Sequence, residues 1–232
     1  MTSQRAFIDV HCHTAASFDS LADPVAVARA AHSRGLTHLV ITDHDRIEGA
    51  LRARDGAPQG LTVIVGEEVK TADGDLTVAF LETALPPGLP ADETIARARE
   101  QGAVVGIPHP FDRFRGSLSK SARLDALAPL VDWVEVHNAR LVGDGNAQAA
   151  SFAREHGLPG VAVSDAHSVL EVAVAYTALD GDPSTPAGLL AALSGSDLVT
   201  GRATYGVRLW TPIAKGINRL RGNTRVRPGT LT

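Results

Sequence analysis

The chain has 232 residues, of which 44% are hydrophobic and 21% are charged, and these ordinary globular values exclude extended disorder. A single cysteine excludes an intramolecular disulfide, and the sequence shows neither a targeting segment nor a membrane span, so we expect a cytoplasmic protein. Seven basic residues and no acidic residue follow Asp197, so the net charge of −4 leaves −11 on residues 1–197.

Apolar runs that end in polar residues alternate with alanine-rich helical patterns along the chain. The runs span residues 6–13, 36–45, 61–68, 76–82, 103–110, 133–138 and 159–167. The first helical pattern has Asp23 as its N-cap, Pro24 in its first turn and Gly35 after its end. This alternation predicts an α/β fold with a mainly parallel sheet, and about seven strands favour a barrel or a distorted barrel. The Asp73-Gly74 turn leaves open a local hairpin between 61–71 and 76–82.

We expect one domain over residues 1–203 and a basic C-terminal extension over 204–232, partly ordered or flexible. A short amphipathic helix in the extension would have an apolar face made of Leu209, Trp210, Ile213, Ile217 and Leu220. The extension is either a contact for nucleic acid or anionic lipid, or a docked segment followed by a solvated tail.

Residues of the metal-binding types lie at the carboxyl ends of the apolar runs. The first run ends in His11 and His13, which share one face because side chains alternate along a strand. The other residues at run ends are Asp43, His44, Glu67, Glu68, His109, Asp165 and His167. In a parallel barrel these ends converge on one rim, so the sequence predicts a metal site there.

The remaining histidines fit structural roles. His32 and His156 fall in the last turns of helical patterns, where a cation suits the helix dipole. His38 begins its strand at the opposite end of the barrel, and His137 shares a strand face with Glu135 and is able to pair with it.

Imidazole and carboxylate ligands together suit zinc, manganese or iron. The set is larger than one ion needs. Two or three divalent ions bridged by a carboxylate would account for the number and would form a hydrolytic site.

Five motifs occur in a fixed order, and a separate aspartate, Asp19, lies six residues after the second histidine of the first motif. The motifs are His11-Cys12-His13, Thr42-Asp43-His44, Gly66-Glu67-Glu68, His109-Pro110 and Ser164-Asp165-Ala166-His167. Together they resemble the polymerase and histidinol phosphatase (PHP) family. That resemblance implies a metal-dependent phosphoesterase on a distorted, TIM-like (β/α)7 barrel.

The resemblance also implies a ligand set for three ions. His11, His13, Glu68 and Asp165 would hold one ion, Glu68 would bridge to a second ion held with His109, and Asp19, His44 and His167 would hold a third. Asp75 stands where many relatives have a histidine, and an oxygen ligand there favours a harder ion such as manganese over zinc. Among these residues, His11, Glu68 and Asp165 are the predicted catalytic residues.

The predicted reaction is hydrolysis of a phosphate ester by a metal-activated water. Asn138 and Arg140 lie in a stretch that resembles the family and are candidates to line the substrate pocket. Arg113 and Arg115 are candidates to hold phosphate oxygens, with solvated loop charges as the alternative. The sequence does not identify the proton donor for the leaving group.

Two other functions stay open at this point. An amidohydrolase would share the paired histidines and the late aspartate, although no strand lysine occupies the expected bridging position. A degenerate barrel would serve as a binding or regulatory module.

The acidic barrel disfavours extensive binding of nucleic acid, so a small phosphorylated metabolite or nucleotide is the favoured partner. The oligomeric state is left open.

Overall fold

The computed structural model describes residues 5–113, 117–118, 123–208 and 210–225. Over these residues, strands and helices alternate as the sequence predicts, with additional elements after β7. The elements are β1 (Arg5–Asp9), α1 (Pro24–Ser33), β2 (His38–Ile41), α2 (Glu48–Asp55), β3 (Thr62–Lys70), β4 (Asp75–Ala79), α3 (Ala91–Glu100), β5 (Val104–Ile107), α4 (Leu124–Leu127), β6 (Trp133–Asn138), α5 (Gly145–Glu155), β7 (Gly160–Val163), β8 (Tyr176–Asp180), α6 (Pro186–Leu193), β9 (Asp197–Val199), α7 (Tyr205–Arg208) and α8 (Trp210–Leu220).

The strands form one sheet in the order β7-β6-β5-β4-β3-β2-β1-β8-β9. β1, β2 and β3 are parallel, as are β5, β6 and β7. β4 lies antiparallel between β3 and β5, so the hairpin at Asp73-Gly74, which the sequence left open, is formed. β8 and β9 also join antiparallel, so the sheet is mixed rather than mainly parallel.

The sheet curls into a nearly closed barrel. The hydroxyl of Thr177 in β8 accepts a hydrogen bond from the amide of Ala162 in β7 and donates to the carbonyl of the same residue. Beyond the ends of β1 and β7, the amide of Asp165 donates to the carbonyl of His11, and the amide of His13 donates to the carbonyl of Ala166. The barrel therefore closes through the residues that the sequence places at the metal site.

Side-chain alternation divides the core into two layers. An inner cluster takes residues from β1 to β8, including Ile8, Val40 and Trp133, and α6 packs against it through Leu189. The outer cluster lies between the sheet and helices α1 to α5. Gly106 in β5 makes room for Trp133, because a Cβ there would lie 2.0 Å from the indole Nε1.

The predicted ends of α1 are confirmed. The carboxylate of Asp23 accepts hydrogen bonds from the amides of Val25 and Ala26, Pro24 opens the helix, and Gly35 after its end has a φ of 87°. In the part of the chain that the structure describes, no helix is both long enough and apolar enough to cross a membrane.

The C-terminal segment, defined here as residues 205–225, contains α7 and α8. The buried residues of α8 are Ala214 and Asn218, one turn apart, whereas Trp210, Ile213 and Leu220 are exposed. The helix therefore does not dock through the predicted apolar face. Leu209, another residue of that face, lies outside the described residues.

Candidate metal centre

Two histidines follow β1 and lie side by side at the rim of the barrel. The Nε2 atoms of His11 and His13 are 2.9 Å apart, and both side chains are buried. Oδ1 of Asp165 lies 3.4 Å from Nε2 of His13 and 3.7 Å from Nε2 of His11. Because the backbone ladder continues past β1 and β7, these three side chains converge.

The backbone at the centre is locally strained. Asp165 has a φ of 51° and His109 a φ of 27°, which are left-handed values that residues other than glycine seldom adopt. Such strain persists only where the surrounding structure enforces it, and it is common at functional sites.

A second group of buried side chains surrounds Asp19. Its Oδ2 atom lies 3.4 Å from Nε2 of His44 and 3.4 Å from Nε2 of His167. The ring of His13 contacts both of these histidines, with centroids 4.6 Å from His44 and 4.2 Å from His167. His13 thus belongs to both groups of potential ligands.

Glu68 lies between the two groups. Its Oε2 atom is 3.4 Å from Nε2 of His11, 3.4 Å from Nε2 of His13 and 3.0 Å from Nδ1 of His44. Its Oε1 atom is 3.1 Å from Nε2 of His109. One buried carboxylate therefore faces four imidazoles, which is the arrangement that a bridging ligand requires.

Glu135 orients His11 from outside the ligand groups. Its Oε1 atom is 2.5 Å from Nδ1 of His11, and its Oε2 atom accepts from the amide of His109. Metal-binding histidines commonly pair their second nitrogen with a carboxylate in this way. The sequence suggests His137 as a partner of Glu135, but His137 contacts the carbonyl of Gly201 instead.

The three candidate substrate residues that the structure describes, Asn138, Arg140 and Arg113, do not line the cavity at the centre. Asn138 is buried, and its amide donates to Glu135 and to Oδ2 of Asp165, both at 3.0 Å. Arg140 is held by Glu171 and Thr211, Arg113 is exposed on a loop, and Arg115 lies outside the described residues.

Asp75 is buried near the centre but belongs to neither ligand group among the described residues. Its Oδ1 atom lies 3.3 Å from Nζ of Lys70 and 3.0 Å from Nη2 of Arg225. Two cations therefore already compensate the charge of this carboxylate.

Glu68 and Asp19 favour the ionised form. Burial alone would raise the pKa of Glu68, but His44 and His11 outweigh burial and hold it well below its usual range. Burial likewise opposes ionisation of Asp19, and His167 and His44 lower its pKa well below the ordinary value. Both side chains therefore present negative charge to a cation.

His11 and His44 favour the charged form, whereas His13 favours the neutral form. Burial would lower the pKa of His11, but Glu135, Asp165 and Glu68 raise it well above the usual value. His44 behaves similarly beside Glu68 and Asp19, with a pKa of about 9. Burial, followed by the charge of His167, keeps the pKa of His13 well below the ordinary value. Protons on His11 and His44 therefore balance the carboxylates, and metal binding would release them.

The donor set fits divalent ions. All ligand atoms are imidazole nitrogens or carboxylate oxygens, the combination that suits zinc, manganese or iron. Oδ1 of Asp19 is buried and makes no hydrogen bond to any described residue. A buried carboxylate oxygen in that position is costly unless it binds a cation. Cys12, the single cysteine, packs in the outer core cluster.

A cavity of about 240 Å³ opens onto the centre. Besides the potential ligands it is lined by Phe18, Lys70, Lys215 and Arg225. The last two residues come from the C-terminal segment, which contains none of the five motifs.

The structural roles predicted for the other histidines agree with their positions. Nε2 of His32 lies 3.3 Å from the carbonyl of Gln59, and Nε2 of His156 lies 3.2 Å from Asp125. His38 lies at the opposite end of the barrel, where its Nε2 is 3.0 Å from the hydroxyl of Ser184.

Comparison with known families gives two adjacent matches. The PHP domain family matches residues 9–142, and a family described as PHP-associated matches residues 143–196. An uncharacterized protein of Methanocaldococcus jannaschii is 32% identical over 143 residues, which are 56% of this chain and 81% of that protein.

Solved structures share the barrel at low sequence identity. A two-domain protein of Bacteroides vulgatus, described as containing a predicted PHP-like metal-dependent phosphoesterase, matches with a TM-score of 0.71 and 19% identity over 85% of this chain. The lesion-specific endonuclease Q of Pyrococcus furiosus matches with a TM-score of 0.65 and 18% identity over 84% of this chain. This chain spans 65% of the Bacteroides protein and 58% of the endonuclease. These likenesses support the distorted barrel fold.

Proposed function

The chain belongs to the PHP domain family, and from this premise we propose that it hydrolyses the phosphate ester of a small metabolite or nucleotide with two or three divalent ions. The observation that most supports the proposal is Glu68, a buried carboxylate that faces His11, His13, His44 and His109 at 3.0–3.4 Å. A carboxylate among so many imidazoles suits a bridge between ions better than a structural ion pair.

The proposed ligands are the two groups of buried side chains together with Glu68 and His109. His11, His13 and Asp165 would hold one ion with Glu68, and Glu68 with His109 a second. Asp19, His44 and His167 would hold the third. Bound divalent ions would supply a nucleophile at neutral pH and stabilise the charge of the phosphoryl oxygens. Zinc, manganese and iron all suit these donors.

The surrounding residues keep the ligands in position. Glu135 fixes Nδ1 of His11, so that Nε2 of this ring faces His13. Asn138 donates to Oδ2 of Asp165, which leaves Oδ1 directed at the histidines. Asp43 accepts hydrogen bonds from Thr14 and Ser17 and so fixes the loop that leads to Asp19. Orientation of this kind lowers the cost of assembling the site when metal binds.

Nucleic acid is the second substrate class to consider, because endonuclease Q has the same fold. The charge of −11 on residues 1–197 disfavours it, since broad binding of nucleic acid rests on a basic surface. The cavity of about 240 Å³ also favours a small substrate or the end of a larger one.

Metal reconstitution tests the proposal. The protein is stripped with a chelator, reloaded with zinc, manganese or iron(II), and assayed on p-nitrophenyl phosphate, bis(p-nitrophenyl) phosphate and an amide substrate. We expect phosphoester hydrolysis that disappears with the metal and returns with it. Amide hydrolysis without phosphoester hydrolysis would favour an amidohydrolase. A metal-loaded protein that hydrolyses none of them would favour a binding module.

A further inference from the structure

The C-terminal segment lies outside both family matches, the later of which ends at residue 196. It nevertheless docks against the loop that carries Asp19. The buried amide of Asn218 donates to the carbonyls of Ser17 and Ser20, at 3.2 Å and 2.8 Å. Asn223 donates to the carbonyl of Ala16 at 3.1 Å. These side-chain bonds to backbone carbonyls fix the segment beside the cavity.

Two cations of this segment line the cavity. Nζ of Lys215 lies 5.3 Å from the ring centroid of Phe18 and 3.9 Å from Oδ2 of Asp19. The guanidinium carbon of Arg225 lies 5.7 Å from the same centroid. Cation–π contacts at this range restrict both side chains to the mouth of the cavity.

Arg225 is the more strongly held of the two. Its Nε lies 3.4 Å from Oδ2 of Asp45, and its Nη2 lies 3.0 Å from Oδ1 of Asp75. Both carboxylates are buried, while the Arg225 side chain keeps 30% of its surface exposed. Two of the three guanidinium nitrogens therefore contact carboxylates, and Nη1 makes no hydrogen bond to a described residue.

We propose that Arg225, assisted by Lys215, binds the terminal phosphate of the substrate and makes this chain selective for phosphomonoesters. This inference rests on the proposed function and deepens it. A phosphomonoester brings up to two negative charges and one substituent, whereas a phosphodiester brings one negative charge and two substituents. A small cavity with two cations at its mouth suits the former.

Charge compensation within the cavity supports the same assignment. Lys70 and Arg225 both contact Asp75, so this carboxylate does not repel an entering dianion. A guanidinium fork also matches the geometry of phosphate oxygens, which makes a fixed arginine a specific phosphate ligand. Neither of these residues belongs to the five motifs.

The test compares Arg225→Ala with a matched control, Arg221→Ala. Arg221 is exposed on the same segment, and its loss removes the same charge without touching the cavity. We expect Arg225→Ala to raise KM for p-nitrophenyl phosphate about 10- to 100-fold, as the loss of a charge-assisted hydrogen bond predicts. KM for bis(p-nitrophenyl) phosphate changes less than about threefold, and the control matches wild type within about twofold.

Binding of inorganic phosphate gives a readout that does not depend on turnover. Calorimetry on the metal-loaded protein should show the same loss of phosphate affinity in Arg225→Ala, with the metal content and the unfolding temperature retained. Lys215→Ala, at a half-exposed position, should weaken phosphate binding up to about fivefold and serves as a second variant if Arg225→Ala is poorly folded.

The outcomes separate the inference from the proposed function. Unchanged phosphate affinity and KM in both variants would overturn the inference, as would an equal loss on both esters or a loss of bound metal in Arg225→Ala. If wild type hydrolyses neither ester, the proposed function fails, while loss of phosphate binding in Arg225→Ala would still support the phosphate site.

Discussion

The two ends of the barrel each have a cavity, and the larger one is not at the motifs. The cavity at the opposite end measures about 500 Å³ and is lined by Arg5, His38, Asp182 and Ser184. The cavity at the candidate metal centre measures about 240 Å³. Volume therefore does not identify the functional end of this barrel.

Burial of opposite charges distinguishes the two ends. At the opposite end, His38 lies 3.7 Å from Asp182, whose side chain is 80% exposed. At the metal centre, Asp19 and its histidine partners are all at least nine-tenths buried. Burying so many ionisable groups costs several kcal/mol per ion unless they are paired or bind a metal. That cost makes the smaller cavity the functional candidate.

The pKa values of the histidines at the two ends also differ. Burial lowers the pKa of His38, with Asp182 opposing it only in part. The pKa of His44 reaches about 9, because Glu68 and Asp19 outweigh burial. Burial thus favours the neutral form of the histidine at one end, whereas neighbouring carboxylates favour the charged form of the histidine at the other.

The largest expected effect comes from breaking the buried set at Asp165. We expect Asp165→Ala to lower turnover of p-nitrophenyl phosphate at least about 100-fold, since even residues outside the ligand groups cost 10- to 100-fold in such sites. Steady-state kinetics and elemental analysis check this together. Retained turnover with wild-type metal content would contradict the role given to Asp165.

A smaller effect is expected when Glu135, which contacts Nδ1 of His11, is changed. Glu135→Gln keeps the shape of the side chain but removes the charge that pairs with Nδ1 of His11. Metal affinity should fall about 10- to 100-fold. Competition with a chromophoric chelator measures this affinity, and an unchanged value would mean that Glu135 serves only the fold.

Glu67, which precedes Glu68 in the chain, should make the stability of the metal-free protein depend on pH. Burial is the main cause that raises the pKa of this side chain to about 8. The folded metal-free protein then binds a proton that the unfolded chain loses near pH 4.5, so stability falls as pH rises from about 4.5 to 8. Glu67→Gln should remove a slope of up to about 1.4 kcal/mol per pH unit in urea unfolding with chelator present. Parallel pH profiles for the two proteins would refute this.

The smallest effect is expected at the opposite end. His38→Ala removes the contacts to Ser184 and Asp182 but touches none of the ligand groups. Turnover and metal content should stay within about twofold of wild type, because distant, independent sites act separately. A loss comparable to that of Asp165→Ala would show that the two ends are coupled.

The convergence of the motif residues was predictable from sequence. His11 and His13 follow β1, His44 follows β2 and Asp165 follows β7, and parallel strands bring their carboxyl ends to one rim. The hairpin after β3 was also predictable, since Asp73-Gly74 is a turn sequence.

The partners that cross the barrel were not predictable. Strand alternation suggested a Glu135–His137 pair, but β6 has a register irregularity between these two residues, and Glu135 turns to His11, 124 positions away. Alternation rules fail at a bulge, because the extra residue changes which face a side chain takes.

The contacts of the C-terminal segment were not predictable from sequence either. Its basic composition was visible, but the docking of Asn218 and the contacts of Arg225 to Asp45 and Asp75 depend on long-range packing that has no local pattern. Trp210 and Ile213, two residues of the predicted apolar face of this helix, are exposed, and α8 instead buries Ala214 and Asn218.

The metal content per chain tests whether the buried histidines and carboxylates form a metal centre. Elemental mass spectrometry on wild type, purified without chelator, should give two or three divalent ions per chain, with a loss of at least one in Asp165→Ala and none in His38→Ala. A wild-type protein that retains no ion after exposure to zinc, manganese and iron(II), or an Asp165→Ala variant with the full complement, would contradict the assignment of the buried groups as a metal centre.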